Sequence, residues 1–267
     1  MIFKKIKDNE SNRKESCMII ISKEKSLVPL IFAHIPKTAG GSIKDYFDKT
    51  SSKLKKINKI SFGHNNLLFI KNKICNDKHL SKKLPFKDYF KFTIFRNPWE
   101  RILSEFTFRS RDNILKKANK TSAKRKYWIN VKEKNYNFKE WISYITETEN
   151  INDLMKKYSY YNFVELDGKI GVDYIINFHN LNEDFELIKK ISNKNHGSLT
   201  KEGMHVHDSN HKFFKNYYDD KTIELVANIY KKDIELFKFS FDDYEYIYLD
   251  EFQNKEKIKN LLERKTI

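Results

Sequence analysis

Cysteine and glycine are scarce in this chain. Two cysteines, Cys17 and Cys75, in 267 residues exclude a disulfide framework and suggest a reducing compartment, so a cytoplasmic location is expected. No apolar run approaches membrane-spanning length. The stretch Cys17-Met18-Ile19-Ile20-Ile21 is too short and has no cleavage pattern behind it, so no integral membrane segment is expected. Proline, alanine and arginine are sparse too, while Lys, Asn, Ile and Phe abound, as an AT-rich coding bias would produce. That bias explains much of the formal charge of +16, from 52 basic and 36 acidic residues. Basicity is therefore weak evidence about partners. No motif that reads DNA or RNA accompanies it, and nucleic acid is not an expected partner.

Two of only seven glycines stand side by side in Ile35-Pro36-Lys37-Thr38-Ala39-Gly40-Gly41-Ser42. The apolar run Leu27 to Ala33 in front reads as a buried strand. Ser42 to Phe47 behind reads as the first turns of an amphipathic helix. Such a junction is the layout of an anion cradle, because loop and helix N–H groups point at the ligand and the helix dipole favours negative charge. The nucleoside-triphosphatase pattern is missing, since Lys37 comes first and the glycines follow, with no Mg²⁺-binding hydroxyl after a lysine. The expected ligand is a phosphate-like group held by Lys37, Thr38, Ser42 and the amides of Ala39, Gly40 and Gly41, without a metal. An ordinary tight turn is the bland alternative.

A second strand-then-helix junction lies at Phe92 to Ser104. Asn97 suits an N-cap, Pro98 the first helical position, and Glu100 a capping carboxylate. Trp99, Ile102, Leu103 and Phe106 form an apolar stripe at helical spacing. Asn97, Ser104 and Arg111 fall on another face, with Arg101 nearby. Four of the seven arginines, Arg96, Arg101, Arg109 and Arg111, lie in this one segment. A chain that otherwise uses lysine places arginine where planar bidentate contact to phosphate would matter. A capped helix with solvated charges is the competing reading.

The pair Pro36–Ser42 and Arg96–Phe106 resembles the two nucleotide motifs of sulfotransferases that use 3′-phosphoadenosine 5′-phosphosulfate (PAPS), most of all the carbohydrate branch with the heparan and chondroitin enzymes and bacterial relatives. The resemblance continues at Val172–Phe185 and around Tyr217–Phe237, and so covers roughly residues 29–241. It implies that Lys37, Thr38, Ala39, Gly40, Gly41 and Ser42 hold the 5′-phosphosulfate. It implies that Arg96 and Ser104, eight residues later, hold the 3′-phosphate. PAPS is then the donor, 3′-phosphoadenosine 5′-phosphate (PAP) the product, and a carbohydrate hydroxyl the acceptor, in an anionic glycan or a glycolipid. The chain departs from the pattern at His179, where many relatives carry Glu before Asn-Leu, and no role is carried over there.

Lys37 is the candidate for stabilising the leaving oxygen, and His64, after Gly63 at a predicted strand end, is the favoured base. A hydrogen-bonding loop histidine is the alternative reading of His64, and His34 reads as packed. Glu100 and Glu105 read as helix-surface or capping residues. His205, His207 and His211 have metal-like spacing but lack a completing Cys or carboxylate cluster, so a ligand-contacting loop or plain surface is expected.

Alternating strands and helices predict one α/β domain, a P-loop-like three-layer fold with a central, mostly parallel sheet flanked by helices. The core spans about 29–241, with a variable insertion at 113–136 and a C-terminal tail at 243–267. Strands are expected at 29–34, 57–62, 89–95, 158–166 and 174–178. Helices are expected at 41–49, 98–109, 138–146, 183–191 and 219–237. Two rival functions remain open. One is an ATP-dependent kinase of related fold, which needs the absent Gly-Lys-Ser/Thr ending. The other is a non-catalytic basic protein binding nucleic acid or another polyanion.

Overall fold

The computed structural model describes residues 18–22, 28–54, 57–61, 65–77, 84–111, 123–192, 214–243 and 249–263. Five strands form the main sheet: β1 (Met18–Ser22), β2 (Leu30–Phe32), β3 (Ile57–Ser61), β4 (Phe90–Phe95) and, later in the chain, Tyr174–Asn177. A short hairpin, β5 (Glu165–Leu166) and β6 (Lys169–Ile170), precedes the last of these, which is therefore β7. The order across the sheet is β3-β1-β2-β4-β7. Strands β2, β4 and β7 are parallel, with Leu30 opposite Phe90 and Phe95 opposite Asn177. Only β1 runs the other way, antiparallel to both β2 and β3. The sheet is mostly parallel, as expected.

Side chains alternate between two cores. Met18, Ile20, Leu30, Phe32, Phe90, Phe92, Ile94 and Ile176 enter one, while Ile19, Ile31, Phe95 and Ile175 enter the other. Every strand residue of β2 and β4 is buried, which is why these segments read as apolar runs rather than alternating ones. Helix α1 (Gly40–Leu54) covers the first face with Ile43 and Phe47. It is joined there by Leu181–Ile191, through Phe185 and Ile188, and by Lys255–Glu263, through Leu261. The opposite face takes α2 (Leu67–Asn76), α3 (Pro98–Arg109), α4 (Ala123–Glu133), α5 (Phe138–Thr148) and α6 (Ile151–Tyr158). The result is three layers.

Most elements form where expected, and α3 has the predicted bounds. Residues 112–122 lie outside the described residues. Ala123–Glu133 is helical and buries Trp128 and Val131 in the core.

Two segments differ. The aromatic stretch 158–166 reads as a strand, yet it closes α6, forms α7 (Tyr160–Val164) and leaves only Glu165–Leu166 extended. The cause is distant in sequence. The Asp233 carboxylate accepts the Tyr160 and Tyr161 amides, both at 2.9 Å, and the Ser159 hydroxyl at 3.1 Å. That satisfies the helix N-terminus and overrides the β-propensity of the tyrosines. The Asp167-Gly168 turn is as read, with both residues at positive φ. The expected helix 219–237 is two: after α8 (Leu181–Ile191) come α9 (Asp220–Ile229) and α10 (Lys231–Phe237), broken at Tyr230, which is drawn into the core against Tyr158 and Tyr160. Lys255–Glu263 is α11.

Candidate active site

Because β2, β4 and β7 are adjacent and parallel, their carboxyl ends share one edge of the sheet. The Ile35–Ala39 loop follows β2, Arg96 follows β4, and Phe178-His179 follows β7. The register that sets Phe95 beside Asn177 puts Arg96 beside Phe178. Topology alone thus brings three chain segments together at the place where ligands bind open parallel sheets.

The loop is a tight, strained turn. Thr38 Oγ1 donates to the Ile35 carbonyl at 2.8 Å. Ser42 N and Ile43 N both bond the Ala39 carbonyl, at 3.0 and 3.3 Å, and so start α1. Positive φ falls on Lys37 (68°) and Ala39 (62°), not on the glycines. Non-glycine residues in that region cost roughly 1–3 kcal/mol each, and such strain persists where surroundings enforce it. Gly40 answers a different need. A Cβ there would lie 1.9 Å from the His34 ring, which forms the buried floor of the loop and stacks on Phe32. No acidic residue occupies the first turn of α1, so nothing there offsets the positive end of its dipole.

The second junction braces the first. The Arg96 guanidinium lies over the Phe178 ring at 4.3 Å, pairs through Nη2 with Glu100 Oε1 at 2.9 Å, and reaches the Lys37 carbonyl through Nη1 at 3.5 Å. Arg101 turns underneath. Its Nε donates to the Pro36 carbonyl at 2.9 Å and its Nη1 to the Tyr158 carbonyl at 2.6 Å. Only 3% of Arg101 is exposed. It is a buried strut of the loop, and Asn97 and Ser104 are buried as well. The Tyr160 hydroxyl donates to the Arg96 carbonyl at 2.5 Å and the Tyr218 hydroxyl to the Trp99 carbonyl at 2.6 Å, fixing the strand end and first turn of α3. Asn97 caps that helix, as its Oδ1 accepts from Trp99 N at 3.1 Å.

Glu100 departs from the sequence expectation. It is buried, and its two oxygens hold Arg96 and, at 3.0 Å, His179 Nε2. Burial works to raise its carboxyl, but the Arg96 charge and the His179 and Arg96 hydrogen bonds outweigh it and hold the group at about 2. Glu105 pairs with Arg109 at 2.9 Å.

Among the sequence-predicted residues, Lys37 and Arg96 come together. Thr38, Ala39, Gly40, Gly41 and Ser42 form the loop and helix start between them. Ser104 sits on α3, 2% exposed. The Lys37 ammonium rests 3.8 Å above the Phe108 ring, also on α3. His64, His205, His207 and His211 lie outside the described residues. Among the described residues no group of three or more His, Cys, Asp or Glu could hold a metal ion. Glu100, Phe178 and His179 were not singled out as site residues. The strand reading of Tyr174–Phe178 and the helix N-cap at Asn97 held the signal, because parallel neighbours put both junctions on one edge.

The chain is thus α/β, with a strained loop feeding the N-terminus of α1 and braced by Arg96 and Arg101 of the next strand-to-helix junction. The sulfotransferase family model matches residues 19–240, and the chain belongs to the sulfotransferase family, transferases that move a sulfuryl group. Neither a curated protein nor a solved structure matches it. Among the described residues, no helix is long and apolar enough to cross a membrane.

Proposed function

We propose that the chain is a PAPS-dependent sulfotransferase that moves the sulfuryl group to a carbohydrate hydroxyl, in an anionic glycan or a glycolipid, by in-line displacement. The observation that carries this reading is the meeting of the two motifs: Arg96 Nη1 stands 3.5 Å from the Lys37 carbonyl, on an edge where one elongated ligand, anionic at both ends, can touch both.

In this reading the amides of Ala39 to Ser42, with Thr38 and Ser42, hold the 5′-phosphosulfate. Arg96 and Ser104 hold the 3′-phosphate. The acceptor oxygen bonds to sulfur as the bond from sulfur to the bridging phosphate oxygen breaks. The electron pair of that bond passes to the phosphate, and Lys37 balances the charge that grows there. The acceptor proton goes to a base, for which His64 is the candidate. Positioning and charge stabilisation supply most of the acceleration, as in phosphoryl transfer, and the chemistry needs no metal. A cytoplasmic site of action is proposed from the two cysteines, of which Cys75 is exposed and free.

Calorimetry with PAP, with ATP and Mg²⁺, and with single-stranded DNA tests this reading. Tight binding of PAP alone supports it; preference for ATP or DNA replaces it with a kinase or a polyanion binder. Arg96→Ala should lose PAP affinity by at least tenfold, since a bidentate charged contact contributes about 1.5–3 kcal/mol. Lys37→Ala should bind donor and turn over at least a hundredfold more slowly, as loss of one preorganised charge-stabilising donor typically costs about 10²–10³ in rate. Normal turnover by that variant sinks the mechanism. Labelled donor offered to panels of glycans and glycolipids identifies the acceptor.

A further inference from the structure

The Arg96–Glu100 pair presents a paradox. The arginine proposed to hold a phosphate is already partnered by a buried carboxylate 2.9 Å away, so the pair carries no net charge. The group that completes the cluster is His179, whose Nε2 meets the second Glu100 oxygen at 3.0 Å. Glu100 is a carboxylate and can only accept. Nε2 therefore carries the hydrogen of this contact.

We propose that His179 is the positioning residue of this site: it locks Glu100 so that Glu100 orients the Arg96 guanidinium toward the 3′-phosphate. This rests on the sulfotransferase reading above. The backbone around His179 is itself fixed, since its amide donates to Asn177 Oδ1 at 3.0 Å and the Asn177 amide donates to Asp184 Oδ2 at 2.8 Å. Phe178 forms a platform, with the His179 ring edge-on at 5.6 Å and the Arg96 guanidinium over its face at 4.3 Å. From the loop the Lys37 carbonyl reaches Arg96, while the Lys37 ammonium lies over the Phe108 ring.

The test is calorimetry on the full chain with two ligands: PAP, and adenosine 5′-phosphosulfate, which lacks the 3′-phosphate. His179→Ala removes the lock and should weaken PAP about tenfold. His179→Gln keeps an amide hydrogen for Glu100 and should restore most of the wild-type affinity. Neither variant should change the affinity for adenosine 5′-phosphosulfate. Melting curves run alongside, and His179→Phe, a ring with no hydrogen to donate, carries the test if the Ala variant fails to fold. Wild type that does not bind PAP sinks the sulfotransferase reading and this inference together. Wild type that binds PAP, with an Ala variant of unchanged PAP affinity or with equal losses for both ligands, overturns this inference alone.

Discussion

Glu100 spends most of its surface inside the protein and yet stays charged, because Arg96 and His179 occupy its two oxygens. A carboxyl held at about 2 in the folded chain, against its ordinary 4.5, binds fewer protons folded than unfolded between those values. Its contribution to stability is therefore full above about pH 5 and is lost as pH falls from 4.5 toward 2. The whole effect is on the order of 3 kcal/mol, at about 1.4 kcal/mol per unit. Urea melts of wild type should lose stability across pH 5 to 3, and Glu100→Gln should show a shallower acid limb; parallel limbs would refute the assignment. None of this is visible in residues 96–106 alone. The i,i+4 spacing of Arg96 and Glu100 permits the pair, but the capping reading of Glu100 is equally good until β7 delivers His179. Gly40 is similar: two glycines announce a loop, yet Lys37 and Ala39 bear the positive φ, and the glycine at 40 exists to clear the His34 ring.

Elements were legible wherever local pattern and tertiary need agree. The β-rich run before Asn97-Pro98 and the apolar stripe behind it give β4 to within a residue and α3 with its bounds. Reading failed where a partner more than 70 residues away decides. Tyr158 to Leu166 has strand propensity, but Asp233 supplies three acceptor contacts to Ser159, Tyr160 and Tyr161 and makes the segment turn into a helix. Burial pushes the Asp233 carboxyl up, and the two amides and the hydroxyl oppose that rise. Asp233→Ala leaves these donors buried without an acceptor, and the loss should be about 3 kcal/mol. Hydrogen exchange should show the Tyr160 and Tyr161 amides losing protection first. Since the Tyr160 hydroxyl holds the Arg96 carbonyl, PAP affinity should fall with them. Unchanged exchange at 160 and 161 would mean that the helix caps itself.

The two ends of the sheet carry different charge clusters. At the amino ends of β4 and β7, far from Arg96, Asp173 accepts Lys91 N at 2.8 Å and pairs with the ammonium groups of Lys91 and Lys257, both at 2.9 Å. Asn254 adds a contact at 3.2 Å. Two strands and α11 are thereby tied at one carboxylate, although the sequence reading leaves residues 243–267 outside the core as a C-terminal tail. Burial lowers the Lys91 ammonium to about 8, with Asp173 pulling up and Lys257 pushing down. The formal charge of +16 gives no hint of this cluster or of the neutral Arg96–Glu100 pair, because neither is a surface excess. Asp173→Asn keeps the shape and removes the charge opposite a buried ammonium, which should cost about 3 kcal/mol. Four or five residues of strand, on the order of 15 Å at about 3.3 Å per residue, separate this cluster from the loop edge. The folded fraction of the variant should accordingly bind PAP as wild type does, whereas Arg96→Ala should lose affinity and, because it leaves the buried Glu100 carboxylate without its arginine, stability as well. A loss of PAP affinity in Asp173→Asn under conditions where it remains folded would mean that the two ends of the sheet act as one unit.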